Sequence, residues 1–233
     1  MSEQTDEEPI DQRSPPEDWS LRQFRGTFVP GLFFESGHCL WYVEFTSTPT
    51  EVGPYTELLL LEPDGGRALY ADPEAATELA LRYHAFDRAH GASISGERPS
   101  SDALAVTIEG QDGTALDFEI TFGTSARTRA MNVMSTLLPG ALVRTNIGAT
   151  LGSMALDLVV GTNGAKIAGR TETGARYRFE ADEVRQVTEA SASLDGVDLG
   201  ERVPPTRSID FGDVAVTDRP LSMAGDIYLP VPE

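Results

Sequence analysis

Two carboxylates interrupt apolar runs in the first third of the chain. Glu57 precedes Leu58-Leu59-Leu60-Leu61, and Glu44 separates Val43 from Phe45 in the run Cys39-Leu40-Trp41-Tyr42-Val43-Glu44-Phe45. An unpaired charge inside such a strand is strongly disfavoured, so each acid must be partnered, protonated or directed at a solvated cavity. The two runs are close enough in sequence to pair as a hairpin, and a register that sets Phe45 beside Thr56 predicts Glu44 opposite Glu57. Two carboxyls held together away from water cannot both ionise easily; their pKa values split, and a site gains an acid and a base from identical side chains. The competing reading leaves both on a solvated face of an acid-rich protein, because a slip of one residue separates them.

The elements that must position these acids read as follows. Val52-Gly53-Pro54 fixes the turn into the Glu57 strand. Gly26 to Glu35 is a strand broken at Pro30-Gly31, and its aromatics are candidates for core or pocket lining. Pro63-Asp64-Gly65-Gly66 is a turn, and Asp72-Pro73-Glu74 predicts the start of a helix running to about His90, with Leu79, Tyr83, Phe86 and His90 on its packed face and Gly91 as its stop. Arg88 then lies in the last turn, where the helix dipole favours a cation. Gln111-Asp112-Gly113 joins a hairpin. A second, short helix is capped by Ser125 and runs over Ala130, Val133, Met134, Leu137 and Leu138 to Pro139-Gly140. Strands follow at 141–147, 154–161, 165–171 and 175–181. The fold class is mainly β (α+β), an antiparallel closed β-barrel or cone with one long and one short helix, since closure removes exposed edges.

The chain has 233 residues and a formal net charge of -19. That length suits one domain. Residues 1–18, acid- and proline-rich, are predicted to be a disordered tail, leaving a single domain at 19–233. Lys166 is the one lysine among 18 basic residues; the excess of acids and the use of arginine read as adaptation to high salt, in a halophile's cytoplasm. Nucleic acid and anionic membrane both demand a basic footprint, so neither is an expected partner. Cys39 is alone, and adjacent His38 and Cys39 point to opposite strand faces, so no metal site is expected. Motifs for dinucleotide, ATP or a serine nucleophile are missing, and no cofactor is expected.

Val-Gly-Pro-Tyr-Thr-Glu at 52–57, preceded by Val43-Glu44-Phe45, resembles the paired motif of the acetoacetate decarboxylase superfamily. There an aromatic-Glu strand and a Tyr-x-Glu strand both present acids to a ligand cavity. The segment Phe86-Asp87-Arg88-Ala89-His90-Gly91 resembles the family's Tyr-Pro-Lys-Lys-x-Gly stretch, and Leu221 to Pro230 its closing strand. The resemblance implies a decarboxylase-like fold, Glu44 and Glu57 as catalytic acids, and Tyr55, Trp41 and Arg88 around the substrate. It also implies that no imine forms at the family position, because Arg88 occupies it and a guanidinium stays protonated. Lys166 is then the remaining candidate nucleophile.

Two functions follow. One is lyase-type chemistry on a small keto or carbonyl acid, with Glu44 and Glu57 in acid–base roles and Arg88 on the carboxylate. The other is a barrel that binds a small organic acid without turning it over. Self-association into a homo-oligomer completes the expected partners.

Overall fold

A computed structural model describes residues 19–126, 128–129, 132–133, 167–205, 207, 209, 211–214 and 220–231. The predicted tail at 1–18, most of the second helix, the strands at 141–147 and 154–161, and Lys166 lie outside the described residues. Ser125 does cap: its Oγ accepts from the Thr128 amide at 3.2 Å, and Thr128 Oγ1 accepts from the Ser125 amide at 2.8 Å.

The chain is mainly β. Strands β1 (Leu21–Phe34), β2 (Cys39–Ser47), β3 (Tyr55–Leu61) and β4 (Arg67–Asp72) form an antiparallel meander. After helix α1 (Ala76–Ala80) come β5 (Arg88–Ser100), β6 (Ala103–Gly110) and β7 (Ala115–Gly123), followed by β8 (Ala168–Arg170) and β9 (Arg176–Leu194). The short β10 (Val197–Asp198) and β11 (Arg202–Val203) precede β12 (Leu221–Pro230). One half of β9 pairs with β12 and the other with β7, so the sheet closes in a ring.

Three expectations about these elements are corrected. The helix predicted over 73–90 is a five-residue α1, and Arg88 to Gly91 begin β5, which runs parallel to β4 with Ala68 paired to Arg88. A parallel pair needs a crossover of a dozen or more residues, and 73–87 supplies it. The periodicity had registered burial, since Leu79, Tyr83 and Phe86 are all buried. Asp72 does not cap α1; its Oδ2 accepts from the Ile94 amide at 2.9 Å and ties the end of β4 to β5. Pro30-Gly31 does not break β1; it makes a register shift between Val29 and Leu32, with Gly31 at φ 75°.

The ring bends at two opposed glycines. Gly26 pairs with Gly225, and each sits beside a register shift. A Cβ on Gly26 would lie 2.3 Å from the Glu44 carbonyl oxygen, and one on Gly225 2.2 Å from that of Glu180, so only glycine lets the strands approach this closely.

Burial falls into two main cores on the two faces of the sheet. One fills the ring: Leu40, Tyr42, Leu58, Leu60, Val106, Phe118 and Val187 belong to it, while Thr107, Asp117 and Glu119 on the reverse of β6 and β7 are exposed. The other lies on the outer face of β1 to β4, where Phe24, Trp41, Phe45 and Leu59 meet α1, Tyr83, Phe86, Tyr177 and Phe211. β2 and β3 are buried on both faces, which explains their near-continuous apolar sequences. No helix among the described residues is long and apolar enough to cross a membrane.

Candidate functional site

The β2–β3 hairpin forms as predicted, but its register is one residue from the expected one. Phe45 pairs with Tyr55, Glu44 with Thr56, and Val43 with Glu57. Residues directly opposite each other share a face and neighbours alternate, so Glu44 and Glu57 emerge on opposite faces of the sheet. They do not form a carboxylate pair. The loop sets this register: Gly53, at φ 75°, donates its amide to the Thr50 carbonyl at 3.2 Å, and Thr48 Oγ1 donates to the Gly53 carbonyl at 2.8 Å.

Glu44 is half-buried on the ring-side face and pairs with Arg98 at 3.0 Å. Glu57 is very different. It is 6 % exposed, on the outer-face core, and its Oε2 is buried without a hydrogen-bond partner. Burial alone pushes its carboxyl up to about 8, so at neutral pH the group is a carboxylic acid with a proton to donate. Two phenols sense its charge. Tyr55, on the same face of β3, and Tyr83, just beyond α1, are both held above the ordinary phenol range, first by burial and then in part by Glu57. The Tyr83 hydroxyl is already used, donating to the Pro230 carbonyl at 3.0 Å.

Trp41 shares this face one pair along, opposite Leu59. His84 stands against it: the imidazole centroid is 6.4 Å from Trp41, 6.4 Å from Phe86 and 5.4 Å from Phe211, the last edge-on at 88°. Its Nδ1 is buried without a hydrogen-bond partner. Burial, helped by the Arg67 guanidinium, pushes the ring down to about 4, so it is neutral at physiological pH. Arg67 itself is paired with Glu172 at 2.5 Å, and Glu172 also accepts from the Ala85 amide at 3.2 Å. Thr173 Oγ1 donates to the Arg82 carbonyl at 2.7 Å. The segment 171–175 thereby clamps the chain that carries Tyr83 and His84.

Of the sequence-predicted site residues, then, Glu57, Tyr55 and Trp41 share one buried face. Arg88 does not join them. It opens β5 with its side chain on the other face, paired with Glu62 at 2.8 Å, while its neighbour Ala89 packs against the Glu57 core. A last-turn role at a helix dipole does not arise, because that turn is a strand. On Arg88's face, near the end of the ring, Tyr70 donates to Thr114 Oγ1 at 3.0 Å and stacks on His90 at 5.7 Å, whose Nε2 lies 3.4 Å from Asp112.

Tyr83 and His84 were the functional candidates that sequence reasoning passed over. Their signal is three rings within four residues, Tyr83-His84-Ala85-Phe86, more aromatic character than a surface helix needs. Among the described residues, no group of three or more His, Cys, Asp or Glu side chains could hold a metal ion. No family model matches the chain, and no curated protein matches it.

Proposed function

We propose that the protein binds a small carbonyl- or carboxyl-bearing organic molecule against Glu57, as an acetoacetate decarboxylase-like ring that holds its ligand without a lysine imine. The observation that carries this reading is the buried, partnerless Oε2 of Glu57. A buried polar group left unmade costs about 1–3 kcal/mol, and a site that fills on binding is a physical reason for a fold to keep one. A neutral carboxylic acid donates to a carbonyl oxygen, and the Tyr55 ring beside it is a flat apolar wall for a short carbon skeleton.

Binding is favoured over lyase chemistry by the placement of the remaining groups. The second acid, Glu44, faces away and is paired with Arg98. Arg88, at the family's lysine position, is paired with Glu62 on the other face. The test is calorimetry with pyruvate, methyl pyruvate, acetoacetate and acetone in molar KCl, run beside an assay for carbon dioxide release. Binding of at least one probe, weakened about tenfold or more in Glu57→Gln, with no product released, is the expected result. Equal binding by the Gln variant would overturn the assignment of Glu57.

A further inference from the structure

We infer that the ligand of this site is uncharged when bound, and that His84 holds it at a second point. The inference rests on the reading of Glu57 given above and names the ligand class and a further binding residue. Its first support is that two buried polar atoms in the same core lack partners, Glu57 Oε2 and His84 Nδ1. They belong to one neighbourhood. Val43, paired with Glu57, is two residues from Trp41 on the same strand face, a step of about 7 Å, and the His84 ring stands against Trp41. Tyr83, next to His84 in the chain, is near enough to Glu57 to sense its charge. Two hydrogen-bonding points bordering one core, with Trp41 and Phe211 as apolar walls beside His84, suit a molecule with two polar groups on a carbon chain.

The second support is electrostatic. An anion entering an apolar core needs a cation to receive it, and among the described residues the guanidinium groups that approach this core are engaged. Arg67 is paired with Glu172, Arg82 lies over the Trp19 ring, and Arg207 donates to the Pro63 and Glu62 carbonyls. Arg88 and Arg98 belong to the other face and are paired with Glu62 and Glu44. The two partnerless groups that border Trp41's face, a carboxylic acid and a neutral imidazole, recognise dipoles. An imidazole nitrogen accepts from a hydroxyl or an amide N–H, or donates to a carbonyl, according to its tautomer. The ligand class is therefore a ketone, aldehyde, ester or amide carrying a second polar group, not a carboxylate anion.

Pyruvate and methyl pyruvate test this, since they differ in little but the charge. Calorimetry is run at about pH 7 on the full chain and on His84→Phe, which keeps an aromatic ring in the cage, with His84→Asn as a second variant and thermal melts to verify folding. The expected result is that the ester binds at least tenfold tighter than the anion, and that His84→Phe loses at least tenfold toward the ester, with partial recovery in His84→Asn. Pyruvate binding tighter than its ester would overturn the charge class alone. Unchanged ester affinity in folded His84→Phe would overturn the role of His84 alone. Binding of neither probe to the unaltered chain would remove the reading of Glu57 and this inference with it.

Discussion

Replacing Glu57 by Gln should change how the protein's stability depends on pH, and the size of the change follows from the site. The carboxyl is raised from 4.5 to about 8 by burial. A raised acid is protonated in the folded state where the unfolded chain has already released its proton. Between those two values the unfolded state therefore binds fewer protons, and stability falls as pH rises. The slope is about 1.4 kcal/mol per pH unit, so the folded protein loses roughly 3 kcal/mol between its unfolded pKa and pH 7, and roughly 5 kcal/mol by pH 8 and above. Gln has no proton to lose. The assay is urea unfolding of both proteins at about pH 5, 6, 7 and 8 in molar KCl, taking the difference in unfolding free energy at each pH so that the other acids cancel. The difference should move in favour of the Gln variant by about 1 kcal/mol or more per pH unit. A difference that stays flat from pH 5 to 8 would refute the reasoning, because it would mean that Glu57 titrates alike in the folded and unfolded chains.

Three further outcomes are expected. Arg88→Met should cost less than about 1 kcal/mol in urea unfolding, because its ion pair with Glu62 is partly exposed, at 40 % and 28 %; a larger loss would give Arg88 a structural role. Gly26→Ala should destabilise by about 2 kcal/mol or more, or fail to fold, since its Cβ would meet the Glu44 carbonyl at 2.3 Å; a neutral thermal melt would contradict the close approach. Borohydride treatment with acetoacetate should leave the intact mass unchanged, because Arg88, at the position that resembles the lysine of the acetoacetate decarboxylase motif, cannot form an imine; an adduct on Lys166 would reverse this and make the lone lysine a nucleophile.

What could be read from the sequence was the part governed by local chemistry. The turns at Gly65 and Gly113 each sit at positive φ, as their Asp-Gly steps favour; the strand at Leu221–Pro230, expected from the resemblance and not from local chemistry, is present. The anomaly at Glu57 was also legible, because a leucine run cannot solvate a carboxylate. Register was not: it depends on hydrogen bonds inside the Thr48–Gly53 loop, and one residue of slip turned Glu44 to the other face. Residues 73–87 misled for another reason. Leu79, Tyr83 and Phe86 are spaced as in a helix and are buried as in one, but the parallel pairing of β4 with β5 ends the helix at Ala80. β5 itself, rich in Ser, Gly and Arg, carries little strand propensity and is held by its partners on either side. His84 was hidden because its significance lies in contacts with Trp41 and Phe211, which are far apart in sequence.

The central claim is that Glu57 is a neutral, partnerless acid at physiological pH, and infrared difference spectroscopy tests it most directly. Spectra of the unaltered chain minus Glu57→Gln are recorded at about pH 6 and pH 10, with and without methyl pyruvate. The expected spectrum has a protonated-carboxyl carbonyl band at pH 6 that vanishes by pH 10 and that shifts to lower frequency when the ligand accepts its hydrogen bond. A carboxylate signature already present at pH 6, with no protonated band, would contradict it.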